Sequence, residues 1–141
     1  MYEHLPQPRI TPAPDAAPFW EAARRHEWRL PYCRRCSAYF FYPRPHCPTC
    51  GSREIEWRAA SGRGRLYSFC VHYQSHLPEF RDATPFVTVI VTLAEGPRLM
   101  GLLVDVPPDP AAIRCDTPVE VAFADGPEWS LPVLRPAPPG G

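Results

Sequence analysis

Two short cysteine pairs constrain the fold of this chain more than any other feature. Two residues separate Cys33 from Cys36, two more separate Cys47 from Cys50, and ten residues lie between the pairs. A C-x-x-C turn brings two sulfur atoms to one side of a tight knuckle, and two such knuckles supply four thiolates to one tetrahedral metal ion. The spacing therefore predicts a metal-binding ribbon whose ten intervening residues form a hairpin.

Zinc is the ion that this ligand set favours. Four protein ligands leave no coordination position for water or substrate, so we expect the ion to be structural; such sites stabilise zinc-finger peptides by about 10 to 16 kcal/mol. Two disulfides, or an iron centre of the rubredoxin kind on the same four sulfurs, are the alternatives. We expect His46 to be solvated, and Cys70 and Cys115 to be small buried residues in or beside strands rather than catalytic thiols.

The composition excludes several classes of protein. The chain has 141 residues, and all fifteen of its basic residues are arginine. Without lysine, Schiff-base aldolases and P-loop NTPases are excluded. The 21 prolines leave little room for long helices, so a helical bundle is not expected. The N-terminus lacks the features of a secretory signal, and no stretch approaches the ~20 apolar residues of a membrane span, so we expect a cytoplasmic location.

The distribution of proline and of apolar residues predicts the organisation of the chain. We expect a proline-rich arm over residues 1–18, a helix plus zinc ribbon over 19–58, a barrel over 59–135 and a disordered tail over 136–141. The helix is predicted for residues 19–27, because Phe19, Trp20 and Ala23 share a helical face and Pro18 suits a first turn.

Five strands are predicted after the ribbon, from alternating and β-branched residues. They cover residues 66–73, 86–93, 98–104, 119–123 and 130–134, and proline lies mainly in their connections. A mainly β fold with a five-stranded Greek-key barrel of the OB type fits this pattern, and an open sandwich is the competing topology. On the first strand, Tyr67, Phe69 and Tyr73 alternate, and we expect them to face the core.

The neutral net charge conceals two opposite halves. Residues 1–65 have eleven arginines against six acidic residues, whereas residues 66–141 have four against nine. The acidic barrel disfavours nucleic-acid binding, which depends on cationic contacts to phosphates. We find no nucleophile elbow and no glycine-rich phosphate loop. The residues alone therefore indicate a binding or scaffold module.

The order of motifs over residues 15–135 resembles one known family. The motifs are Phe19-Trp20-Glu21, the ribbon from Cys33 to Cys50, Gly62-Arg63-Gly64-Arg65-Leu66-Tyr67-Ser68-Phe69, Pro85-Phe86-Val87, Leu93-Ala94-Glu95-Gly96-Pro97-Arg98 and Pro118-Val119-Glu120-Val121-Ala122-Phe123. They resemble the thiolase-associated family in which a rubredoxin-like zinc ribbon is fused to an OB-fold. The chain departs from the family pattern at Asp116 and Ser37, where glycine is usual, and aspartate tolerates the left-handed turn expected at residue 116.

The resemblance implies a non-catalytic accessory subunit. Its partner would be a thiolase-like enzyme, a thiolase-fold aldolase that cleaves steroid side chains, or a hot-dog-fold enoyl-CoA hydratase, and the acyl-CoA would be shared with that partner. It also implies that the zinc ligands are Cys33, Cys36, Cys47 and Cys50, whereas no family motif fixes the acyl-CoA site.

From charge alone, Arg63 and Arg65 are candidate contacts to a CoA phosphate or to the partner surface. Two other functions remain open. The barrel type and the arginine run suit a single-stranded nucleic-acid-binding protein, and the third possibility is an independent CoA-thioester enzyme.

Overall fold

A helix, a three-stranded sheet and a closed five-stranded barrel follow one another in the computed structural model, which describes residues 2–138. The helices are α1 (Ala17–Arg24) and α2 (Pro78–Arg81). The sheet contains β1 (Arg29–Cys33), β2 (Ala38–Tyr39) and β3 (Ile55–Ala59). The barrel contains β4 (Arg63–His72), β5 (Phe86–Leu93), β6 (Arg98–Leu103), β7 (Pro118–Asp125) and β8 (Ser130–Pro136). The predicted mainly β class is confirmed.

Helix α1 begins two residues before the predicted start and ends three residues before the predicted end. Proline stands in its first turn, where the missing N–H is not needed. The helix ends at Arg24 because His26 adopts the left-handed conformation, with φ of 60°. Phe19 and Ala23 are buried as expected, together with Ala22, while Trp20 is half-buried.

Strand β1 is the centre of the small sheet, antiparallel to β2 on one side and to β3 on the other. Leu30 and Cys33 are both fully buried, and they pack into different hydrophobic clusters. The chain between β2 and β3 holds the second cysteine pair. One end of the sheet therefore gathers all four cysteines of the ribbon.

The barrel closes in the strand order β4-β5-β6-β8-β7, which excludes the open sandwich. Neighbouring strands are antiparallel except β6 and β8, which run parallel and pair through Leu103 and Leu134. Strand β5 alternates cleanly and buries four apolar residues inside the barrel: Val87, Val89, Val91 and Leu93. The five predicted barrel strands and the OB-type architecture are confirmed.

A bulge in β4 changes which side chains face the core. Leu66 pairs with Val91 and Ser68 pairs with Ile90, so Tyr67 is an extra residue in the strand. The bulge leaves Tyr67 exposed, and Tyr73 lies exposed beyond the end of β4. The expectation that both tyrosines face the core was therefore wrong, whereas Phe69 packs against the core while remaining half-buried.

One hydrophobic cluster joins the ribbon to the barrel. It contains Phe19 from α1, Trp28 and Leu30 from the ribbon, and barrel residues such as Val89 and Leu134. Since the two sheets share this core, we expect them to unfold together.

The proline-rich first segment is tied to the barrel at its start. Tyr2 is buried, and its hydroxyl donates to Asp105 Oδ2 at 2.7 Å. At the other end, β8 extends to Pro136, and residues 139–141 of the predicted tail lie outside the described residues. No helix within residues 2–138 has the length and apolar character needed to cross a bilayer.

The two residues that replace the family's usual glycines adopt left-handed conformations. Ser37 has φ of 55° and Asp116 has φ of 65°. Aspartate is among the residues that accept this region, as expected for residue 116.

Candidate metal centre and binding surfaces

The four ribbon cysteines meet at one point of the structure. Their sulfur atoms all lie within 4.8 Å of one another, with 3.7 Å between Cys33 Sγ and Cys50 Sγ and 3.8 Å between Cys36 Sγ and Cys47 Sγ. A tetrahedral zinc ion with bonds of about 2.3 Å to sulfur holds its ligands about 3.8 Å apart. A disulfide needs about 2.0 Å, so the disulfide alternative is excluded. The donor set and its spacing fit a structural zinc ion.

Backbone geometry prepares the two knuckles for an ion. The N–H of Cys36 donates to Cys33 Sγ at 3.3 Å, and the N–H of Thr49 donates to Cys47 Sγ at 3.4 Å. Gly51 follows the second knuckle with φ of 76°, a left-handed conformation that glycine adopts without steric cost. Such amide donors favour thiolate over thiol, which is the form that binds metal.

The pKa values of the thiols reflect how closely the four cysteines lie together. The backbone N–H of Cys50 leads the interactions that lower the pKa of Cys47 to about 6. Hydrogen bonding to the Cys50 side chain leads those that raise the pKa of Cys36 to about 12. Opposite shifts are expected where one thiolate is stabilised and its neighbours must keep protons to donate. A bound divalent cation would replace those protons and would let all four sulfurs ionise.

The environment of the centre agrees with a structural role. Cys33 and Cys47 are buried against Phe40 and Ile55, whereas the other two cysteines are exposed. His46 stays outside the cluster, where its Nε2 accepts a hydrogen bond from Arg53 Nε at 3.0 Å.

The other two cysteines do not have the predicted burial. Cys70 and Cys115 are both exposed. Cys70 follows the bulge in β4, which reverses the orientation expected from alternation, and Cys115 lies in the loop before β7. The expectation of small buried residues was wrong for both.

The arginine surface is a second feature, on the outside of the barrel around Arg63, Arg65, Tyr67, Thr92 and Arg98. Four of these residues line a cavity of about 790 Å³. The guanidinium of Arg98 lies 3.8 Å from the centre of the Tyr67 ring, and its Nε donates to Thr92 Oγ1 at 3.1 Å. Arg65 Nη1 donates to the backbone oxygen of residue 116 at 2.7 Å. Arg98 could not be identified from the sequence as part of this surface, because only the pairing register of β4, β5 and β6 places it in line with Thr92 and Arg65.

The apolar groove is a third feature, about 500 Å³ in volume, between α1, the β2–β3 loop, α2 and the barrel. Its walls and rim are formed mainly by Trp20, Tyr42, Leu77, Phe80, Phe86 and Met100. The lining contains no aspartate, glutamate or arginine. One polar pair lies within it: His72 Nε2 and Thr88 Oγ1 are hydrogen-bonded at 2.8 Å.

A hydrogen-bonded set of His26, Asp125 and Ser130 contains the residue types of a hydrolase triad but lacks its arrangement. His26 Nε2 lies 2.8 Å from Asp125 Oδ1, and Ser130 Oγ donates to the same carboxylate oxygen. A triad needs the serine bonded to the imidazole and accessible to substrate, whereas this serine is fully buried. The set joins the end of α1 to the β7–β8 hairpin.

Two family models match consecutive parts of the chain. The rubredoxin-like zinc ribbon domain of ChsH2 matches residues 20–56, and the C-terminal OB-fold domain of ChsH2 matches residues 57–124. The first match agrees with the geometry of the four cysteines.

The relatives carry names of subunits and scaffolds. A probable enoyl-CoA hydratase alpha subunit from Thermomonospora curvata is 37% identical over 95% of this chain, which spans 40% of that relative's length. A DUF35 domain-containing scaffold protein from Methanothermobacter thermautotrophicus is 37% identical over 64% of this chain and 67% of its own.

A solved structure is similar over nearly the whole chain. The match is to a chain of the Ltp2-ChsH2(DUF35) aldolase, with a TM-score of 0.81 and 34% identity, and covers 92% of this chain and 100% of that one. Together with the tetrathiolate ribbon and the closed barrel, these likenesses show that the chain belongs to the DUF35 family of ChsH2-type proteins, which join a rubredoxin-like zinc ribbon to an OB-fold.

Proposed function

We propose that this chain is a non-catalytic accessory subunit, which binds a thiolase-superfamily enzyme or an enoyl-CoA hydratase and helps to bind and position its acyl-CoA substrate. The observation that carries the proposal is the likeness to the DUF35 chain of an aldolase over that chain's whole length, at 34% identity. The names of the relatives, a hydratase subunit and a scaffold protein, support the same class of role.

The proposed zinc ligands are Cys33, Cys36, Cys47 and Cys50. When bound, the ion would supply structural cross-linking of the two knuckles, because four thiolates leave it no free position. The thiolates would hold the two knuckles together at the end of β1 and keep the β2–β3 loop beside the barrel. The metal centre thus supports the proposal because the ion would stabilise the fold of the ribbon and would not take part in a reaction.

Two described histidines lack the partner that a catalytic base would activate, which fits an accessory role. His26 bonds to Asp125 and His46 to Arg53, so neither histidine is paired with a hydroxyl or a thiol. None of the six cysteines, all of which lie within the described residues, is in a disulfide, which suits the reducing cytoplasm where we place the proposed assembly.

We propose that Arg63 and Arg65 contact the phosphates of CoA or an acidic patch of the partner, together with Arg98. Guanidinium groups bind phosphate through paired N–H donors. Within the described residues, Arg63 and Arg98 have no carboxylate at ion-pair distance, whereas Arg65 lies 3.4 Å from Asp116 Oδ1. Of the three arginines, Arg63 and Arg98 therefore have more capacity than Arg65 to bind an external anion.

Co-purification tests the proposed function. An affinity-tagged chain is expressed together with each candidate thiolase-like or hydratase enzyme from the same genome, and the eluate is analysed by size-exclusion chromatography. We expect a complex of fixed stoichiometry that survives washing. In the control, Arg24 is substituted, and the complex should remain intact. The Nη1 of Arg24 donates a hydrogen bond to Gly126 O at 2.7 Å.

The nucleic-acid alternative gives a different result. A single-stranded oligonucleotide would bind tightly at low salt and lose affinity steeply as salt rises. The nucleic-acid function would replace the accessory one under two conditions. The chain would have to bind the oligonucleotide in this salt-dependent way, and it would have to fail to co-purify with any encoded thiolase-like or hydratase enzyme.

A further inference from the structure

One edge of the ribbon sheet is unpaired. Strand β3 pairs with β1 on one side, and no strand within residues 2–138 pairs with its other side. The last two residues of β3, Arg58 and Ala59, are exposed. An unpaired edge presents backbone N–H and C=O groups, to which another chain can add a strand.

The strand register shows which residues of β3 direct their backbone groups to this edge. Pro31 of β1 stands opposite Trp57, and its carbonyl accepts from the N–H of Phe40 at 3.0 Å, on the β2 side. In an antiparallel pair, residues that stand opposite each other direct their backbone groups either toward each other or both away. The N–H and C=O of Trp57 therefore face the free edge. Ile55 and Ala59 have the same orientation, because the pattern repeats every second residue.

The backbone groups on this edge are complementary to those of a second copy. Antiparallel pairing across a two-fold axis at Trp57 would set Trp57 opposite Trp57, and Ile55 opposite Ala59. The two Trp57 residues would exchange two hydrogen bonds, and the N–H of each Ala59 would donate to the C=O of Ile55 in the other copy. The groups that this pairing leaves over are engaged within the chain. Ile55 N–H donates to Arg53 O at 2.8 Å, and Ala59 O accepts from the Tyr39 hydroxyl at 2.9 Å.

The charges on β3 fit the same two-fold arrangement. Glu56 and Arg58 flank Trp57 and form an ion pair within the chain. Antiparallel pairing about Trp57 would set Glu56 of each copy opposite Arg58 of the other, whereas parallel pairing in register would set like charges side by side. The side chains of Glu56 and Arg58 are 37% and 48% exposed, so both are accessible to a second copy. The guanidinium of Arg58 lies 3.7 Å from the centre of the Tyr32 ring, which orients it.

We propose that two copies of this chain associate through their β3 strands and form one continuous antiparallel sheet across a two-fold axis. Trp57 is half-buried, and its contact with Trp57 of the second copy covers apolar surface at the centre of the interface. The association goes beyond the proposed function, because it requires no partner enzyme. It brings two ribbons and two barrels into one assembly.

Sedimentation velocity of the purified full chain, with zinc present, measures the association. An interface made by one short strand from each copy belongs to the small, weak class, so we expect a reversible dimer with a Kd of about 10 to 100 µM. Arg58→Glu should weaken the dimer at least about tenfold, because it converts both cross-strand ion pairs into pairs of like charges. Glu56→Arg should have the same effect for the same reason.

A mixture of the two variants tests the pairing itself. The Arg58→Glu chain carries two acidic residues on β3 and the Glu56→Arg chain carries two basic ones, so opposite charges meet again when the two chains pair. The equimolar mixture should dimerise about as tightly as the wild-type chain, which would also show that both variants fold. Arg114→Glu is the matched control: it reverses the charge of an exposed residue in the loop before β7 and should change the Kd less than about twofold.

A wild-type chain that stays monomeric well above the expected Kd would overturn the proposal. A dimer that resists both charge reversals, or a mixture that stays monomeric, would overturn it as well. A chain that is monomeric alone, and that loses a partner enzyme on Arg58→Glu substitution, would assign the β3 edge to that enzyme instead. The dimer is measured without any partner, and co-purification does not require the dimer, so either proposal can fail without the other.

Discussion

Truncation of Leu30 tests whether the ribbon and the barrel form one cooperative unit. Leu30 lies on β1 of the ribbon sheet and is 0% exposed. It belongs to the same cluster as Phe19, Trp28 and barrel residues including Leu134. Leu30→Ala therefore creates a cavity where the two sheets meet, without touching a metal ligand or a rim residue of the groove.

The structure sets the expected size of the effect. Leucine-to-alanine changes at fully buried positions cost about 2.7 to 5.0 kcal/mol, and the cost rises with the cavity that remains. Aromatic rings and closed-barrel strands border this position and have little freedom to collapse. We therefore expect a loss of about 3 to 4 kcal/mol, equivalent to a fall in Tm of roughly 10 to 15 °C for a chain of this size.

Urea unfolding with zinc present, followed by tryptophan fluorescence and by circular dichroism, measures this loss. Both probes should give one coincident transition at a lower midpoint, and Leu77→Ala, at an exposed position, should change stability by less than about 0.5 kcal/mol. A first transition confined to the ribbon, with the barrel transition unchanged from wild type, would refute the shared core.

Three further predictions concern the metal, acid stability and packing. Cys47→Ser should lose bound zinc during gel filtration while Cys70→Ser, outside the cluster, keeps it, as measured by zinc per chain. Hydrogen bonds from Ser130 and, to a smaller extent, from His26 lower the pKa of Asp125 in the folded chain. The Asp125 carboxylate therefore stabilises the fold above the pKa that it has in the unfolded chain, and this stabilisation is lost as pH falls through the pKa of the folded state. Asp125→Asn should flatten the dependence of the urea midpoint on pH below about 4. Gly64→Ala should cost at least about 1 to 3 kcal/mol in urea unfolding, because its Cβ would lie 2.6 Å from the backbone oxygen of Thr92.

Local patterns were sufficient to predict the ribbon and the barrel strands. The spacing of Cys33, Cys36, Cys47 and Cys50 predicts one cluster because each knuckle is a local turn, and the structure brings the four sulfurs together. Strand β5 was predicted with its observed bounds because residues 86–93 form an apolar run rich in β-branched side chains.

The binding surfaces depend on contacts that local patterns do not specify. The bulge at Tyr67 has no signature in alternation, so the exposure of that ring and its contact with Arg98 could not be predicted. The groove is lined by residues that lie far apart in the sequence, such as Trp20, Tyr42 and Met100. Their proximity depends on how the ribbon packs on the barrel, because the backbone N–H of Met100 donates to the Tyr42 hydroxyl at 3.3 Å.

Enzyme kinetics with the chain as a titrant test the accessory role most directly. The enzyme that co-purifies with this chain is assayed on an acyl-CoA with increasing amounts of the purified chain, and the chain is also assayed by itself. The account predicts that kcat/KM of the enzyme rises and saturates at a fixed ratio, while the chain alone gives no turnover. Turnover of the thioester by the chain alone, or enzyme activity that is indifferent to its presence, would contradict the account.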